Sequence, residues 1–172
     1  MLKLAKALKY AVTIIILCSL QVSLTRYISV FGVAPNIVLA FIISVSVVCG
    51  PVEGGIIGLI CGIVTDALCS GMTVLNSIAY MYSGALCGYF ATGYLRKNIS
   101  AAFIFTFIAS VLCEEAAHFL HFTIWNSSGL FSGFLYPILP VAVYSAVISI
   151  PIYYLTDRLF RRGHREGLHI ND

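Results

Sequence analysis

Polar and charged residues gather at a few points along the chain, and long apolar runs fill the intervals between them. The first run follows Lys3, Lys6 and Lys9 and predicts a helix over about 10–30. Its basic start and apolar middle resemble a secretory signal, but no small-x-small cleavage site follows, so it reads as an uncleaved helix. Phe31-Gly32-Val33-Ala34 then makes a tight connection. Pro35-Asn36 opens a second helix, at about 35–49, since proline suits a first turn where its missing N–H leaves nothing unpaired. This helix is short, so it should stand nearly upright or thin the bilayer locally; as a re-entrant segment it would leave five spans. Gly50-Pro51-Val52 is a turn by its residue types. Helices follow at about 53–69 (broken by Ser70-Gly71), 74–94, 101–125 (ended by Asn126-Ser127-Ser128-Gly129) and 134–159. The last should be kinked by Pro137, Pro140 and Pro151. Residues 160–172 read as a short basic tail.

These lengths suit a hydrocarbon core of about 30 Å, which takes about 20 residues per helix. The expected fold is therefore all-α: one transmembrane domain of six helices. Composition agrees, with 60% hydrophobic and only 10% charged residues in a chain of 172. A soluble domain carries about a quarter of its residues as charges.

The net charge of +3 carries no nucleic-acid signature, because the basic residues sit just outside apolar runs rather than on one aromatic-studded face. With six spans and a cytoplasmic N-terminus, Lys3, Lys6, Lys9, Arg96, Lys97, Arg158, Arg161, Arg162 and Arg165 all lie inside, and only Arg26 lies outside. The positive-inside bias thus supports an even number of spans with both termini cytoplasmic. External connections are short, which leaves the bilayer interior and the helix surfaces as the places where function can reside. Cys18, Cys49, Cys61, Cys69, Cys87 and Cys113 are scattered along apolar runs without paired spacing, and they read as small packing residues. No P-loop, nucleophile elbow, dinucleotide fingerprint or zincin motif occurs. No enzyme activity, cofactor or metal is expected. Trp125, Tyr136, Tyr153 and Tyr154 near helix ends read as interfacial anchors.

Three features remain. Gly54, Gly58, Gly62, Asp66 and Ser70 recur at every fourth position of the third helix, and Gly84 and Gly88 repeat the device on the fourth. Such a stripe admits another helix to backbone contact, from within the chain or from a partner. Asp66 itself is an acid within an apolar helix, at a depth similar to that of Arg26. The two could neutralise each other, or Asp66 could mark a functional position. On the fifth helix, Glu114 and Glu115 stand four and three residues before His118, with His121 three further on, so they can share one side. Acid and histidine together can bind a metal or relay protons. The di-iron bundles, however, require their Glu-x-x-His unit twice and it occurs once here, so a water-accessible polar cluster near the outer face is the preferred reading.

The order Pro35-Asn36, Gly54-Gly55-x-x-Gly58-x-x-x-Gly62-x-x-x-Asp66, Gly71, then Gly84 and Gly88 resembles the rod-shape-determining protein MreD family. The likeness extends to length, number of spans, basic N-terminus and short basic tail, and so covers essentially the whole chain. It implies a non-enzymatic scaffold of the bacterial inner membrane. Its partner would be an MreC-like single-span protein, with links to MreB, RodA and a penicillin-binding transpeptidase. That family is similar in fold to the substrate-binding S components of energy-coupling-factor transporters. This implies an S-component-like bundle with a pocket or docking groove at its outer end, where Asp66 would matter most. The alternative function is an S component itself, taking up a vitamin or metal through Asp66, Glu114, Glu115 and His118.

Overall fold

A computed structural model of the chain describes residues 2–27, 35–68, 75–91, 98–125 and 138–165, with side chains at 10–21, 23, 35–68, 76–91, 98–116 and 138–159. The described residues are all-helical, in six helices: α1 (Leu2–Tyr27), α2 (Ile37–Cys49), α3 (Pro51–Leu68), α4 (Leu75–Phe90), α5 (Ile99–Trp125) and α6 (Ile138–Arg165). Three of them contain a segment long and apolar enough to cross a membrane: Pro51–Leu68, Ile99–Ala116 and Ile138–Leu159. The apolar parts of α1 and α2 are shorter.

The helices alternate in direction. Tyr10, early in α1, meets Cys49 at the end of α2 and Glu53 at the start of α3. Asp66, late in α3, meets Ser77 at the start of α4. Asn36, just before α2, meets Ser145 in the second turn of α6. One end of the bundle therefore carries the starts of α2, α4 and α6, and the other the starts of α1, α3 and α5.

At the centre stands α2, where every residue from Ile37 to Val48 is buried. It packs against α1, α3, α4, α5 and α6. Its 13 residues span only about 20 Å at 1.5 Å per residue. Because protein walls it on all sides, that shortness creates no mismatch with lipid, and the expected local thinning has nothing to act on.

Large apolar side chains point outward instead: Val52, Ile56 and Ile63 on α3, Tyr82, Leu86 and Tyr89 on α4, and Ile104, Ile108 and Leu112 on α5. The interior meanwhile takes small hydroxyl residues, among them Ser44, Ser46, Thr106, Ser110, Ser145 and Ser149. Ser44, Thr65 and Thr106 return their hydroxyls to the carbonyl four residues earlier, which satisfies them without a second helix. An apolar exterior of this extent is foreign to a soluble monomer and suits a chain surrounded by lipid.

Several helix limits depart from the sequence reading, for identifiable reasons. Pro35 is not in the first turn of α2: Asn36 is the N-cap, with its Oδ1 accepting from the Leu39 amide, and Pro35 precedes it. The proline that opens a helix is Pro51, at the first position of α3, after Gly50 reverses the chain at φ 113°. What read as a turn is thus the tight α2–α3 corner. The helix α1 begins at Leu2, so the lysines lie within it, and α4 ends at Phe90, short of residue 94. The last helix runs through Arg165, six residues into the expected tail. Arginine is a good helix former, and cations near a C-terminus complement the helix dipole. Of its prolines, Pro140 falls in the first turn and Pro151 inside the helix, while Pro137 lies outside the described residues. Tyr154 is exposed but Tyr153 is buried in the core, so only the first can act as an anchor. The Trp125 side chain, Tyr136 and the Ser70-Gly71 and 126–129 breaks lie outside the described residues. The described cysteines are all unbridged.

Candidate functional site

The glycine ladder is consumed within the chain. A Cβ at Gly58 would run into the Tyr80 carbonyl oxygen and come within 2.8 Å of its carbon. At Gly62 it would meet the Ser77 backbone, with the Asn76 oxygen at 2.8 Å. At Gly54 it would strike the Ser46 hydroxyl, at Gly84 the Gly54 carbonyl, and at Gly88 it would stand 2.5 Å from the Pro51 Cα. These five glycines bring the α3 and α4 backbones into direct contact, and Ser46 of α2 closes the crossing by donating to the Gly84 carbonyl at 2.6 Å. Gly55 is different: a Cβ there would sit 3.4 Å from Ala85 Cβ, an ordinary contact.

Where the ladder ends, Asp66 crosses to α4. Its Oδ2 accepts from the Ser77 amide at 3.0 Å and from the Ser77 hydroxyl at 2.6 Å. Ser77 is the third residue of α4, so the carboxylate caps an amide that has no partner within the helix and sits at the positive end of its dipole. Asp66 Oδ1 is buried and has no hydrogen-bond partner among the described residues. The Arg26 side chain lies outside the described residues, so the Asp66–Arg26 pair is not seen; the Ser77 bonds supply a different reason for an acid at this depth.

Pro35-Asn36 is a hub. Asn36 Oδ1 caps α2, its Nδ2 donates to the Tyr80 hydroxyl at 2.8 Å, and its backbone amide donates to Ser145 Oγ at 2.9 Å. Gln21 of α1 completes the joint: its Nε2 donates to the Pro35 carbonyl at 2.9 Å and its Oε1 accepts from the Ile37 amide at 2.8 Å. Four helices meet on two residues. Exposed backbone at a helix start is costly in apolar surroundings, and these bonds remove that cost.

Glu114 is half-buried on α5, next to Cys113 in the chain. Cys113 contacts Ser83 Oγ at 3.4 Å. Glu115 is partly buried, and its Oε1 has no hydrogen-bond partner among the described residues. The backbone of His118 and His121 continues α5, but their side chains lie outside the described residues. Of the expected grouping of Arg26, Asp66, Glu114, Glu115 and His118, the Arg26 and His118 side chains lie outside the described residues. Asp66 bonds across the α3–α4 contact, and Glu114 and Glu115 are both half-buried on α5. Among the described residues no three His, Cys, Asp or Glu side chains stand close enough to hold a metal ion.

Sequence reasoning missed Gln21, Ser46, Ser77, Tyr80 and Ser145. The available signal was their polarity: each is an isolated polar group within an apolar run, and such a group needs a partner on another helix or on its own backbone. No family model, curated protein or solved structure matches the chain.

Proposed function

We propose that the chain is a six-span protein of the bacterial inner membrane, with both termini in the cytoplasm. In this reading it acts as a non-enzymatic scaffold of the cell-elongation machinery, of the MreD type. The observation that carries the proposal is the use made of the residues in the resembling motif. Pro35-Asn36, Gly54, Gly58, Gly62, Asp66, Gly84 and Gly88 are the joints by which α2, α3 and α4 are held together. A motif devoted to holding helices suits a protein whose product is a shaped surface. Since the glycine face is occupied within the chain, an MreC-like single-span partner docks on an outward apolar or aromatic face, such as that of Tyr82, Leu86 and Tyr89 on α4. MreB, RodA and a penicillin-binding transpeptidase join through that partner.

The even span count and its direction rest on the distribution of basic residues: six spans would put nine of the ten Lys and Arg on one side, and an odd number would split them. In this reading the shorter helices α2 and α4 cross as well, the first covered by protein and the second packed backbone to backbone on α3.

One observation favours the transporter S-component reading as the second choice: Asp66 Oδ1 and Glu115 Oε1 are buried without a partner among the described residues. Depletion in a rod-shaped host separates the two. The scaffold reading expects cells that round up while uptake of vitamins and metals continues. Retained rod shape with a new vitamin or metal requirement overturns it in favour of the transporter.

A further inference from the structure

The end of the bundle that carries the starts of α1, α3 and α5 combines two features that the scaffold role leaves unused. The first is an apolar groove of about 430 Å³, lined by Ile99, Ser100, Phe103 and Ile104 of α5 and by Ile150 of α6. This is within the size of clefts that hold small ligands, about 300–1,000 Å³. It opens on the outer surface of the bundle, where Phe103, Ile104 and Ile150 are all exposed.

The second is the far end of α6. Its 28 residues measure about 42 Å, against a hydrocarbon core of about 30 Å. Roughly the last two turns must therefore stand in the headgroup region. Those turns carry Arg158, Arg161, Arg162 and Arg165, at i, i+3, i+4 and i+7, the register of a single helix face. Arg158 is exposed and follows Ile150 and Tyr154 along the outward stripe of α6 at successive four-residue steps. The neighbouring acid, Asp157, is half-buried. Ile150 and Arg158 are separated by about 12 Å along the helix axis. That separation matches the geometry of a phospholipid whose chain lies along the groove while its phosphate sits at the membrane surface.

We infer that the α5–α6 groove and the arginine face of α6 together form a binding site for an anionic glycerophospholipid. One acyl chain lies along Phe103, Ile104 and Ile150, and the phosphate and anionic headgroup meet Arg158, whose helical register Arg161, Arg162 and Arg165 continue. Apolar lining alone would accept any lipid chain. The arginine face supplies the choice of headgroup, since basic residues at a membrane surface each strengthen attachment to anionic lipid. Guanidinium groups also suit phosphate, because their donors engage its oxygens in pairs.

The inference rests on the membrane placement proposed above, and the test separates the two. The full chain is first sedimented with membranes after carbonate washing. It is then purified in mild detergent and examined by native mass spectrometry with equimolar phosphatidylglycerol and phosphatidylcholine. Phosphatidylglycerol is expected to be retained over phosphatidylcholine by about fivefold or more. The combined change Arg158→Gln, Arg161→Gln, Arg162→Gln and Arg165→Gln brings that ratio close to one. Ile104→Trp, which fills the groove and leaves the arginines in place, lowers phosphatidylglycerol retention by about threefold. A photoreactive side chain at position 100 forms an adduct of lipid mass. Equal retention of the two lipids, indifference to either variant, or an adduct to a polypeptide overturns the lipid site while leaving the membrane placement intact. Release of the chain by carbonate overturns the placement, and the site with it.

Discussion

The side-chain amide of Asn36 donates to the Tyr80 hydroxyl across 2.8 Å, joining the start of α2 to the second turn of α4. The same side chain caps α2 through Leu39, so one residue fixes both where the central helix begins and which helix stands beside it.

Removing Asn36 should therefore cost more than a cap. Loss of an N-cap costs about 1 kcal/mol, and a buried group left without a partner about 1–3 kcal/mol. Asn36→Ala is expected to destabilise the bundle by about 2–4 kcal/mol, and Tyr80→Phe by about 1 kcal/mol. The double variant should lose less than the sum, because one shared bond is counted in both. Unfolding by dodecyl sulfate titration in mild detergent reads this directly; strict additivity would argue that the bond contributes nothing.

Gly55 and Gly58, about one turn apart on α3, should behave in opposite ways. Gly58→Ala drives a Cβ into the Tyr80 backbone, where no side chain can move aside. Overpacking of this kind costs about 1–3 kcal/mol, so lower abundance and an earlier unfolding midpoint are expected. Gly62→Leu should be worse. Gly55→Ala meets only Ala85 Cβ at 3.4 Å, and should be neutral or raise stability by up to about 1 kcal/mol through helix propensity. Equal effects at positions 55 and 58 would contradict the close-contact geometry.

This contrast marks the limit of what the sequence made legible. The four-residue spacing of Gly54, Gly58 and Gly62 announced close packing and left Gly55 beside the series, but it could not say how much room a Cβ at each position would have. That room depends on the rotation of α3 against α4. The Pro35-Asn36 signature likewise announced a helix start, but it placed the proline in the first turn rather than before the cap. Its partners Tyr80 and Ser145 lie 44 and 109 residues away in the chain. Apolar runs revealed the six helices of the described residues, because burial and lipid both demand them. They could not reveal that α2 is the central one, since a helix facing protein and a helix facing lipid are equally apolar. Asp66 stood out as an acid within an apolar run, whereas its capping of Ser77 depends on the α3–α4 contact and was invisible.

Asp66 and Ser77 should act as a unit. Loss of a charge-assisted cap costs about 1–2 kcal/mol. Asp66→Ala and Ser77→Ala are each expected to lower the unfolding midpoint, and the pair to do little more than Asp66→Ala alone. Arg26→Gln combined with Asp66→Ala should simply add. If neutralising Arg26 rescues the Asp66 variant instead, the acid is held by the arginine and the capping role is secondary.

The distribution of basic residues predicts the topology. Green fluorescent protein fused after residue 172 should fluoresce, and alkaline phosphatase at the same place should be inactive, both marking a cytoplasmic C-terminus. The reverse pattern would overturn the orientation. A cysteine introduced between residues 28 and 34 should react with impermeant maleimide from outside the cell.

The scaffold reading is tested most directly by recovering the tagged chain from its native membrane in gentle detergent and identifying both the proteins and the small molecules that accompany it. An MreC-like single-span protein in stoichiometric amount is the expected result, lost on placing a charged residue at Tyr82 or Tyr89 if the outward face of α4 is the docking surface. A transporter ATPase module or a bound vitamin, with no such partner, would contradict it.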